Sequence, residues 1–323
     1  MYIVTGGAGF IGSVFARKLN VQGISDIIIV DELSTTERWK NLRKISYYDF
    51  IHKDDFLALL KANSFGTKIS AIVHMGACSS TTERNADFMM KNNYQYTRTL
   101  AEFAVRNNVR FIYASSAATY GAGEHGYSDD EAKLAQLSPL NIYGYSKQLF
   151  DLFAQKNGML NQIVGLKFFN VFGPNEYHKD DMRSVILKSY YQIKETGKVR
   201  LFRSYRNDYA DGEQKRDFIY VQDCVDVMWW FLQNPKANGL FNLGSGIARS
   251  WNDSVKSVYT ALKEKAEIEY IDMPDTLKNQ YQYFTQASMQ KLSKIGCPVK
   301  FRGLEEAVSD YVKTFLESSD QFA

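Results

Sequence analysis

Apolar residues near the start of the chain fall into two short, nearly continuous runs. Tyr2-Ile-Val-Thr5 and Asp26-Ile-Ile-Ile-Val30 have the length and composition of buried strands. Between them, apolar residues recur at helical spacing from Ser13 to Leu19. This succession of strand, helix and strand predicts a βαβ unit.

The same alternation of strand-like and helix-like segments continues as far as Asn170. Further strand candidates are 69–74, 110–114 and 163–168, and helical patterns cover 89–107 and 146–156. Continuous apolar runs, in place of alternating ones, are typical of parallel strands that are buried on both faces. The sequence therefore predicts an α/β fold, in which a Rossmann-like doubly wound parallel sheet is joined by a smaller α/β substrate-binding lobe.

The pattern changes after Asn170, and this change sets the predicted domain boundary. The polar stretch 203–214 predicts a loop, whereas Phe218-Ile-Tyr-Val221 predicts a return of the chain to the first lobe. A chain of 323 residues also exceeds the ~250–300 residues at which single cores stop growing. We predict a dinucleotide-binding domain at 1–170 and 217–243, and a substrate-binding domain at 171–216 and 244–323.

Composition then excludes several classes of protein. A net charge of +3 with both signs interspersed provides no basic stripe for nucleic acid. No apolar stretch approaches the ~20 residues that cross a bilayer, and the N-terminus does not resemble a signal peptide. Cys78, Cys224 and Cys297 lack the paired spacing of a disulfide framework or a zinc site. We expect a cytoplasmic protein with no membrane, nucleic-acid or metal partner.

A glycine motif between the first strand and the first helix predicts a dinucleotide site. In Gly7-x-Gly9-x-x-Gly12 the glycines permit a tight turn and a close approach of the backbone to a pyrophosphate at the helix N-terminus. Asp31 follows at the spacing that favours NAD, because a carboxylate there binds the ribose diol. Arg38 and Lys53 are near enough in sequence to bind a 2′-phosphate instead, so NADP and NAD both remain open.

A phenol and an amine in the middle of the chain predict proton transfer. Tyr143 and Lys147 lie four residues apart and share one face of a helix, so the cation is expected to lower the pKa of the phenol. Tyr143 is thus a candidate proton acceptor for a sugar or alcohol hydroxyl. Ser116 follows a strand at the ligand-binding edge of the sheet and is expected to hold the reacting oxygen.

These motifs in this order resemble the extended short-chain dehydrogenase/reductase family. Within it, the chain is similar along nearly its whole length to the branch of epimerases that act at C6″ of ADP-heptose. Besides the glycine motif, the strings that carry the resemblance are His74-x-Gly-Ala-Cys-Ser-Ser-Thr-Thr-Glu83, Asn92-Asn-Tyr-Gln-Tyr96, Tyr113-Ala-Ser-Ser-Ala-Ala-Thr-Tyr-Gly121, Phe169-Asn-Val, His178-Lys179, Arg216-Asp-Phe-Ile-Tyr-Val-Gln-Asp223 and Phe284-Thr-Gln-Ala287.

The resemblance implies a tightly held NADP, a nucleotide-sugar substrate, a homo-oligomer that is commonly a pentamer, and a role in supplying heptose for lipopolysaccharide. It assigns acid/base roles to Tyr143 and Lys179, with Lys147 tuning Tyr143 and binding the nicotinamide ribose. It places at the cofactor Gly6, Gly7, Gly9, Phe10, Ile11, Gly12, Asp31, Glu32, Arg38, Lys53, Met75, Gly76, Ala77, Cys78, Ser79, Asn92, Lys147 and Val171. It places at the sugar nucleotide Ser116, Asn170, Asp181, Lys188, Phe202, Arg203, Ser204, Tyr205, Arg216 and Tyr281, with Arg216 suited to a diphosphate.

Some residues depart from the branch's usual pattern, and other functions remain open. Met75 replaces a glutamate, Arg38 replaces a lysine, and Tyr177, Asp180 and Asp181 replace small residues around Lys179. A 4-epimerase that acts on another nucleotide sugar is the nearest alternative, and a non-catalytic cofactor-sensing protein is a more distant one. A dehydratase is disfavoured, because Ala117 and Ala118 occupy the positions where its acid pair would stand.

Overall fold

A computed structural model describes residues 1–62, 64–65, 68–278 and 281–323 of the chain. The apolar runs identified in the sequence form strands, with end points that differ from the predicted ones by a few residues. In chain order the strands are β1 Tyr2–Thr5, β2 Ile27–Asp31, β3 Asp49–His52, β4 Ala71–His74, β5 Arg110–Ser116, β6 Val164–Phe168, β7 Asn170–Phe172, β8 Val199–Phe202, β9 Lys215–Tyr220, β10 Gly239–Leu243, β11 Ala248–Ser250 and β12 Ile268–Ile271.

A seven-stranded parallel sheet has the order β10-β6-β5-β4-β1-β2-β3. From β1, which lies between β4 and β2, the chain runs first to one side and later to the other. Ligands bind at such a point, because the connections diverge beyond the carboxyl ends of the two strands. The predicted doubly wound α/β fold is confirmed.

Two smaller sheets lie in the second half of the chain. The order of one is β11-β9-β7, and β12 pairs with β8 in the other. Thus β10 joins the large sheet as its edge strand, whereas β9 pairs with β7 and not with the large sheet. The domain boundaries given above stay a prediction.

Helices cover both faces of the large sheet. The α-helices are α1 Phe10–Val21, α2 Lys53–Lys61, α3 Ala86–Met89, α4 Tyr96–Arg106, α5 Ile142–Lys156, α6 Val185–Thr196, α7 Val221–Gln233, α8 Trp251–Leu262, α9 Asp275–Lys278, α10 Gln290–Lys294 and α11 Leu304–Asp310. Short 3₁₀-helices form at Glu37–Leu42, Ala117–Tyr120, Glu131–Gln136, Met159–Asn161 and Tyr177–Met182, and π-helical turns at Met90–Gln95 and Tyr311–Leu316.

The hydrophobic core lies in two layers, one on each face of the large sheet. Val14 and Phe15 of α1 pack with Phe231 of α7 in one layer, and Leu100 of α4 packs with Phe150 of α5 in the other. Each such side chain stabilises the fold by roughly 1.5–3 kcal/mol when it leaves water. In the described part of the chain, no helix is both long and apolar enough to cross a membrane.

Candidate active site

A cavity of about 510 Å³ opens beside the carboxyl ends of β1 and β4. It is lined by the proposed catalytic residues Ser116, Tyr143, Lys147 and Lys179, and by every proposed cofactor residue except Gly7. Other residues that line it were not proposed as site residues, namely Thr5, Val30, Ser80, Phe88, Tyr96, Ala114, Ser115, Phe168, Phe169, His178 and Met182, although several of them lie within the strings that carry the resemblance.

The glycine turn leaves backbone exposed to this cavity. Gly6 has φ +66°, and a Cβ there would lie 2.5 Å from the amide nitrogen of Gly76. A Cβ on Gly12 would lie 2.1 Å from the carbonyl oxygen of Gly6. Gly7 instead packs towards the sheet, where a Cβ would meet the Val4 carbonyl oxygen at 2.8 Å. Only glycine therefore permits this turn, and the first amides of α1 stay available to an anion.

Acidic and basic side chains meet at the end of β2, beside the glycine turn. The Asp31 carboxylate accepts hydrogen bonds from the amides of Ala8, at 2.8 Å, and Glu32, at 2.7 Å. Arg38 Nη1 lies 3.6 Å from Asp31 Oδ1, and Arg38 Nε is buried with no hydrogen-bond partner among the described residues. Lys53 pairs with Glu32 and donates to Asn92 Oδ1 at 3.1 Å. The structure thus brings Arg38 to the Asp31 carboxylate and Lys53 to the carboxylate of the adjacent Glu32.

Helix α5 positions Tyr143 and Lys147. The Asn141 side chain accepts a hydrogen bond from the Gly144 amide at 2.9 Å, so the helix begins at Ile142, four residues earlier than predicted. Both side chains line the cavity. Lys147 Nζ donates to the Ala114 carbonyl oxygen at 2.7 Å, and Ser116, at the end of the same strand, hydrogen-bonds the Tyr143 phenol. The predicted trio is therefore brought together.

The electrostatics of this trio differ from the sequence-based expectation. Burial raises the pKa of Tyr143, and the hydrogen bond with Ser116 opposes that rise only in part. Burial also lowers the pKa of Lys147 to about 8, against a smaller opposing effect of Asp151. We expected Lys147 to lower the pKa of Tyr143, but the net shift is upward, because burial removes the water that would solvate a phenolate.

Lys179 reaches the cavity from the 3₁₀-helix Tyr177–Met182. Its Nζ lies 5.4 Å from the centre of the Phe10 ring, at the start of α1. Burial lowers the pKa of Lys179, and the fully buried Glu176 opposes this shift. An amine with a lowered pKa accepts and returns a proton more readily than an ordinary lysine does.

Of the residues predicted to bind the sugar nucleotide, Ser116 lines the cavity and the others lie outside it. Lys188 Nζ donates to the Asp181 carbonyl oxygen at 2.6 Å, and Asn170 begins β7. The rest lie beside Tyr281 or at the end of β8 and in the residues that follow it. The Arg216 guanidinium packs 5.3 Å from the centre of the Tyr281 ring. Phe202 is the last residue of β8, and Arg203, Ser204 and Tyr205 follow it. Of these, Arg203 Nε donates to the Tyr270 carbonyl oxygen, and Tyr205 OH donates to the Lys278 carbonyl oxygen.

Three buried polar groups that support the site were not identified from the sequence. Asp151 of α5 and Lys167 of β6 form a fully buried ion pair, and Glu176 closes the loop that carries Lys179. Asp151 stands four residues after Lys147, on the same helix face, and this spacing was the available signal. No sequence motif marks Lys167 or Glu176. The partner of Lys167, Asp151, lies on a different element, and the partner of Glu176, Ser184, lies at the other end of a loop.

The comparisons with known proteins agree with this arrangement. A family model described as "NAD dependent epimerase/dehydratase family" matches residues 2–244. The chain belongs to that family. It is 58% identical over 322 residues to a protein of Nitratidesulfovibrio vulgaris (strain DP4) named ADP-L-glycero-D-manno-heptose-6-epimerase, with 100% of both chains covered. It is 49% identical, again over 100% of both chains, to a protein of that name from Fusobacterium nucleatum.

Solved structures show the same fold. The Helicobacter pylori ADP-L-glycero-D-manno-heptose-6-epimerase matches with a TM-score of 0.81 and 28% identity, over 97% of this chain and 95% of that one. A UDP-N-acetylglucosamine 4-epimerase from Methanobrevibacter ruminantium matches with a TM-score of 0.80 at 24% identity, which indicates a shared fold alone. The prediction of an enzyme of the epimerase class is confirmed by the full-length relatives.

Proposed function

We propose that this epimerase inverts C6″ of ADP-D-glycero-D-manno-heptose to the L-glycero form. The observation that carries the proposal is that Lys179 and Tyr143 line one cavity together with the glycine turn. Full-length relatives named for this activity support the choice of sugar. The enzyme would work in the cytoplasm, and its product would supply heptose for lipopolysaccharide. By resemblance it would be a homo-oligomer, with a pentamer expected.

The glycine turn fits a nicotinamide dinucleotide, as the family description leads one to expect. Side chains at Gly6 or Gly12 would clash with the backbone of Gly76 or Gly6 and so disrupt the turn, and the amides of Phe10 and Ile11 would bind a pyrophosphate at the start of α1. When bound, the dinucleotide supplies an acceptor and donor of hydride. Lys147 would hold its nicotinamide ribose.

We propose NADP as the dinucleotide. Asp31 already accepts two backbone amides, so its carboxylate is partly engaged before any ribose arrives. Arg38 has a buried Nε with no partner among the described residues, and Lys53 lines the same cavity. A 2′-phosphate would give the guanidinium a charged partner. Mass analysis of the dinucleotide released from purified protein tests this choice, and NAD alone would contradict it.

Two acid/base groups account for inversion at C6″. Tyr143, held by Ser116, would take the hydroxyl proton from the sugar in its starting configuration. Once C6″ is a carbonyl, rotation of that end of the sugar presents its opposite face. Lys179 would then return a proton to the oxygen in its new position. Arg216 and Tyr281 are proposed to bind the remainder of the sugar nucleotide.

The role of Lys179 is tested by Lys179→Met. We expect kcat for epimerisation to fall roughly 10²–10⁴-fold, as on loss of other acid/base groups, with the dinucleotide retained. Lys198→Met, which removes an exposed lysine that pairs with Glu267, is the control for loss of a lysine charge and should keep both the activity and the dinucleotide. Loss of the dinucleotide from Lys179→Met would instead identify Lys179 as a cofactor ligand and remove the second base from the scheme.

A further inference from the structure

We propose that the C-terminal segment, residues 317–323, is a positioning element that holds Lys179 in the active site. It acts on the lysine loop, residues 173–184, through Asn175 and Tyr177. The inference rests on the proposed function, in which Lys179 is the second acid/base group. It goes beyond that function, because it assigns a catalytic consequence to residues that lie outside the cavity.

Contacts of the C-terminal segment lie on the N-terminal side of Lys179 within the loop. Tyr177 OH donates to the Gln321 carbonyl oxygen at 2.5 Å, and its ring meets Phe322 edge-on, with ring centres 5.2 Å apart. The Ala323 amide donates to Asn175 Oδ1 at 3.0 Å. Asn175 is fully buried, and its Nδ2 donates to Ser13 Oγ of α1 at 2.9 Å. The segment thus fixes the loop two and four residues before Lys179.

The same segment is also attached to the residues just after the short helix Glu37–Leu42. Arg43 and Lys44 pair with Asp320 at 3.1 and 3.3 Å. The Arg43 guanidinium lies 4.8 Å from the Phe322 ring centre, and Lys44 Nζ donates to the Phe322 carbonyl oxygen at 2.6 Å. The C-terminal segment therefore bridges the lysine loop and the part of the chain that carries Arg38.

The part of the lysine loop around Lys179 needs contacts with residues outside the loop to hold its conformation. At its base, the buried Glu176 carboxylate accepts hydrogen bonds from the Ser184 amide and hydroxyl at 2.6 and 2.8 Å. Directly after Lys179, however, Asp180 has φ +44°, a region that non-glycine residues rarely adopt. A strained residue persists only where its surroundings hold it. The contacts of Tyr177 and Asn175 are in the right place to provide that hold.

Tyr177 provides most of the contact between the lysine loop and the C-terminal segment. Resemblance leads one to expect a small residue at this position, and a small residue would have neither the hydroxyl nor the ring that contact Gln321 and Phe322. The tyrosine thus compensates, within one loop, for the strained Asp180 that also replaces a small residue. The replacement of small residues by Tyr177 and by Asp180 thus has one explanation, because the contact of Tyr177 with the C-terminal segment holds the loop in which Asp180 is strained.

The test measures the reactivity of Lys179 directly. Full-length enzyme with its retained dinucleotide is treated briefly with an acetylating reagent, and acetylation of each lysine is followed by peptide mass spectrometry. We expect Phe322→Ala and Tyr177→Gly to raise the labelling rate of Lys179 by roughly tenfold or more, because this half-buried amine gains exposure when the loop that carries it opens. Lys198, which is exposed and pairs with Glu267 outside both the lysine loop and the C-terminal segment, provides the internal reference.

Two further variants separate positioning from general loss of structure. Tyr177→Phe keeps the ring contact with Phe322 but loses the hydrogen bond to Gln321, and it is expected to raise Lys179 labelling less than Tyr177→Gly does. Phe301→Ala removes a half-buried aromatic ring from the same core layer, away from the loop, and is expected to leave Lys179 labelling unchanged. In Phe322→Ala we expect kcat for epimerisation to fall while KM and dinucleotide content change little.

The outcomes distinguish this inference from the proposed function. Unchanged Lys179 labelling in both Phe322→Ala and Tyr177→Gly would overturn the inference, whatever the activity. Faster labelling together with a lower kcat supports it. If Lys179→Met retains full epimerisation, the second-base proposal fails, and the catalytic part of this inference fails with it, whereas the labelling rates still decide whether the C-terminal segment holds the loop.

Discussion

The buried ion pair of Asp151 and Lys167 allows a quantitative prediction about the support of α5. Both side chains are fully buried, and Asp151 Oδ2 lies 3.0 Å from Lys167 Nζ. Asp151 also accepts from Tyr113 OH at 2.9 Å and Ser115 Oγ at 2.7 Å, and Lys167 donates to Thr119 Oγ1 at 2.6 Å. The pair therefore ties the helix of Tyr143 and Lys147 to the strand that ends at Ser116.

We predict that Asp151→Asn lowers the free energy of unfolding by about 3–5 kcal/mol, because it leaves the Lys167 ammonium buried without a counter-charge. At roughly 2 °C per kcal/mol for a chain of this size, the midpoint of thermal unfolding should fall by roughly 6–10 °C. Lys167→Met in the same background should recover part of this loss, since it removes the unpaired charge. The coupling energy from the double-mutant cycle should be about 1–3 kcal/mol.

Lys18→Met is the matched control, because its pair with Asp226, at 2.6 Å, is partly exposed to water. Such a pair contributes about 0–1 kcal/mol, so this variant should change the midpoint little. Thermal unfolding followed by circular dichroism, with urea unfolding as a second measure, provides the free energies of the wild type, Asp151→Asn, Lys167→Met, the double variant and Lys18→Met. The reasoning is refuted if Asp151→Asn costs no more than Lys18→Met, or if the effects of the two core substitutions simply add.

Three further predictions concern the cavity itself. Gly12→Ala should abolish co-purification of the dinucleotide, since the added Cβ would lie 2.1 Å from the Gly6 carbonyl oxygen. The control Gly303→Ala, which has open space around the added Cβ, should retain the dinucleotide. Absorbance of the dinucleotide released from denatured protein measures both. Tyr143→Phe should lower kcat roughly 10²–10⁴-fold with unchanged dinucleotide content, and near-normal turnover would contradict its role. Because burial lowers the pKa of Lys147 to about 8 from 10.5, its charge costs stability below pH 8, and this cost is relieved as pH rises to about 10.5. The unfolding midpoint of the wild type should therefore rise relative to Lys147→Met across that interval, and a constant difference would refute this.

The sequence predicted the first lobe well because short-range signals determine it. Continuous apolar runs marked β1, β2 and β4–β6, and the glycine motif stood where a strand meets a helix. The same locality explains why most of the proposed cofactor residues line one cavity, since they follow strands whose carboxyl ends meet at one edge. The start of α5 was misplaced because Asn141 caps a segment that contains Gly144, which weakened its helical pattern.

Features that depend on distant contacts were harder to predict. The pKa of Tyr143 depends on burial by the whole fold, and spacing from Lys147 alone indicated the wrong direction. The pairing of Asp151 with Lys167 joins a helix to a strand and leaves no periodic signal. Likewise, the contact between Tyr177 and Phe322 spans nearly half the chain, so the replacement of a small residue by Tyr177 had no evident explanation in the sequence.

The central claim is that Tyr143 and Lys179 together invert one carbon of a heptose. It is tested most directly by incubating the native protein with ADP-D-glycero-D-manno-heptose and following the configuration at C6″ by nuclear magnetic resonance, with UDP-glucose in a parallel reaction as the substrate of a 4-epimerase. We predict conversion of the ADP-heptose to an equilibrium mixture of its C6″ epimers and no change in UDP-glucose. An unchanged C6″ signal from protein that retains its dinucleotide, or inversion at C4 of UDP-glucose, would contradict the account.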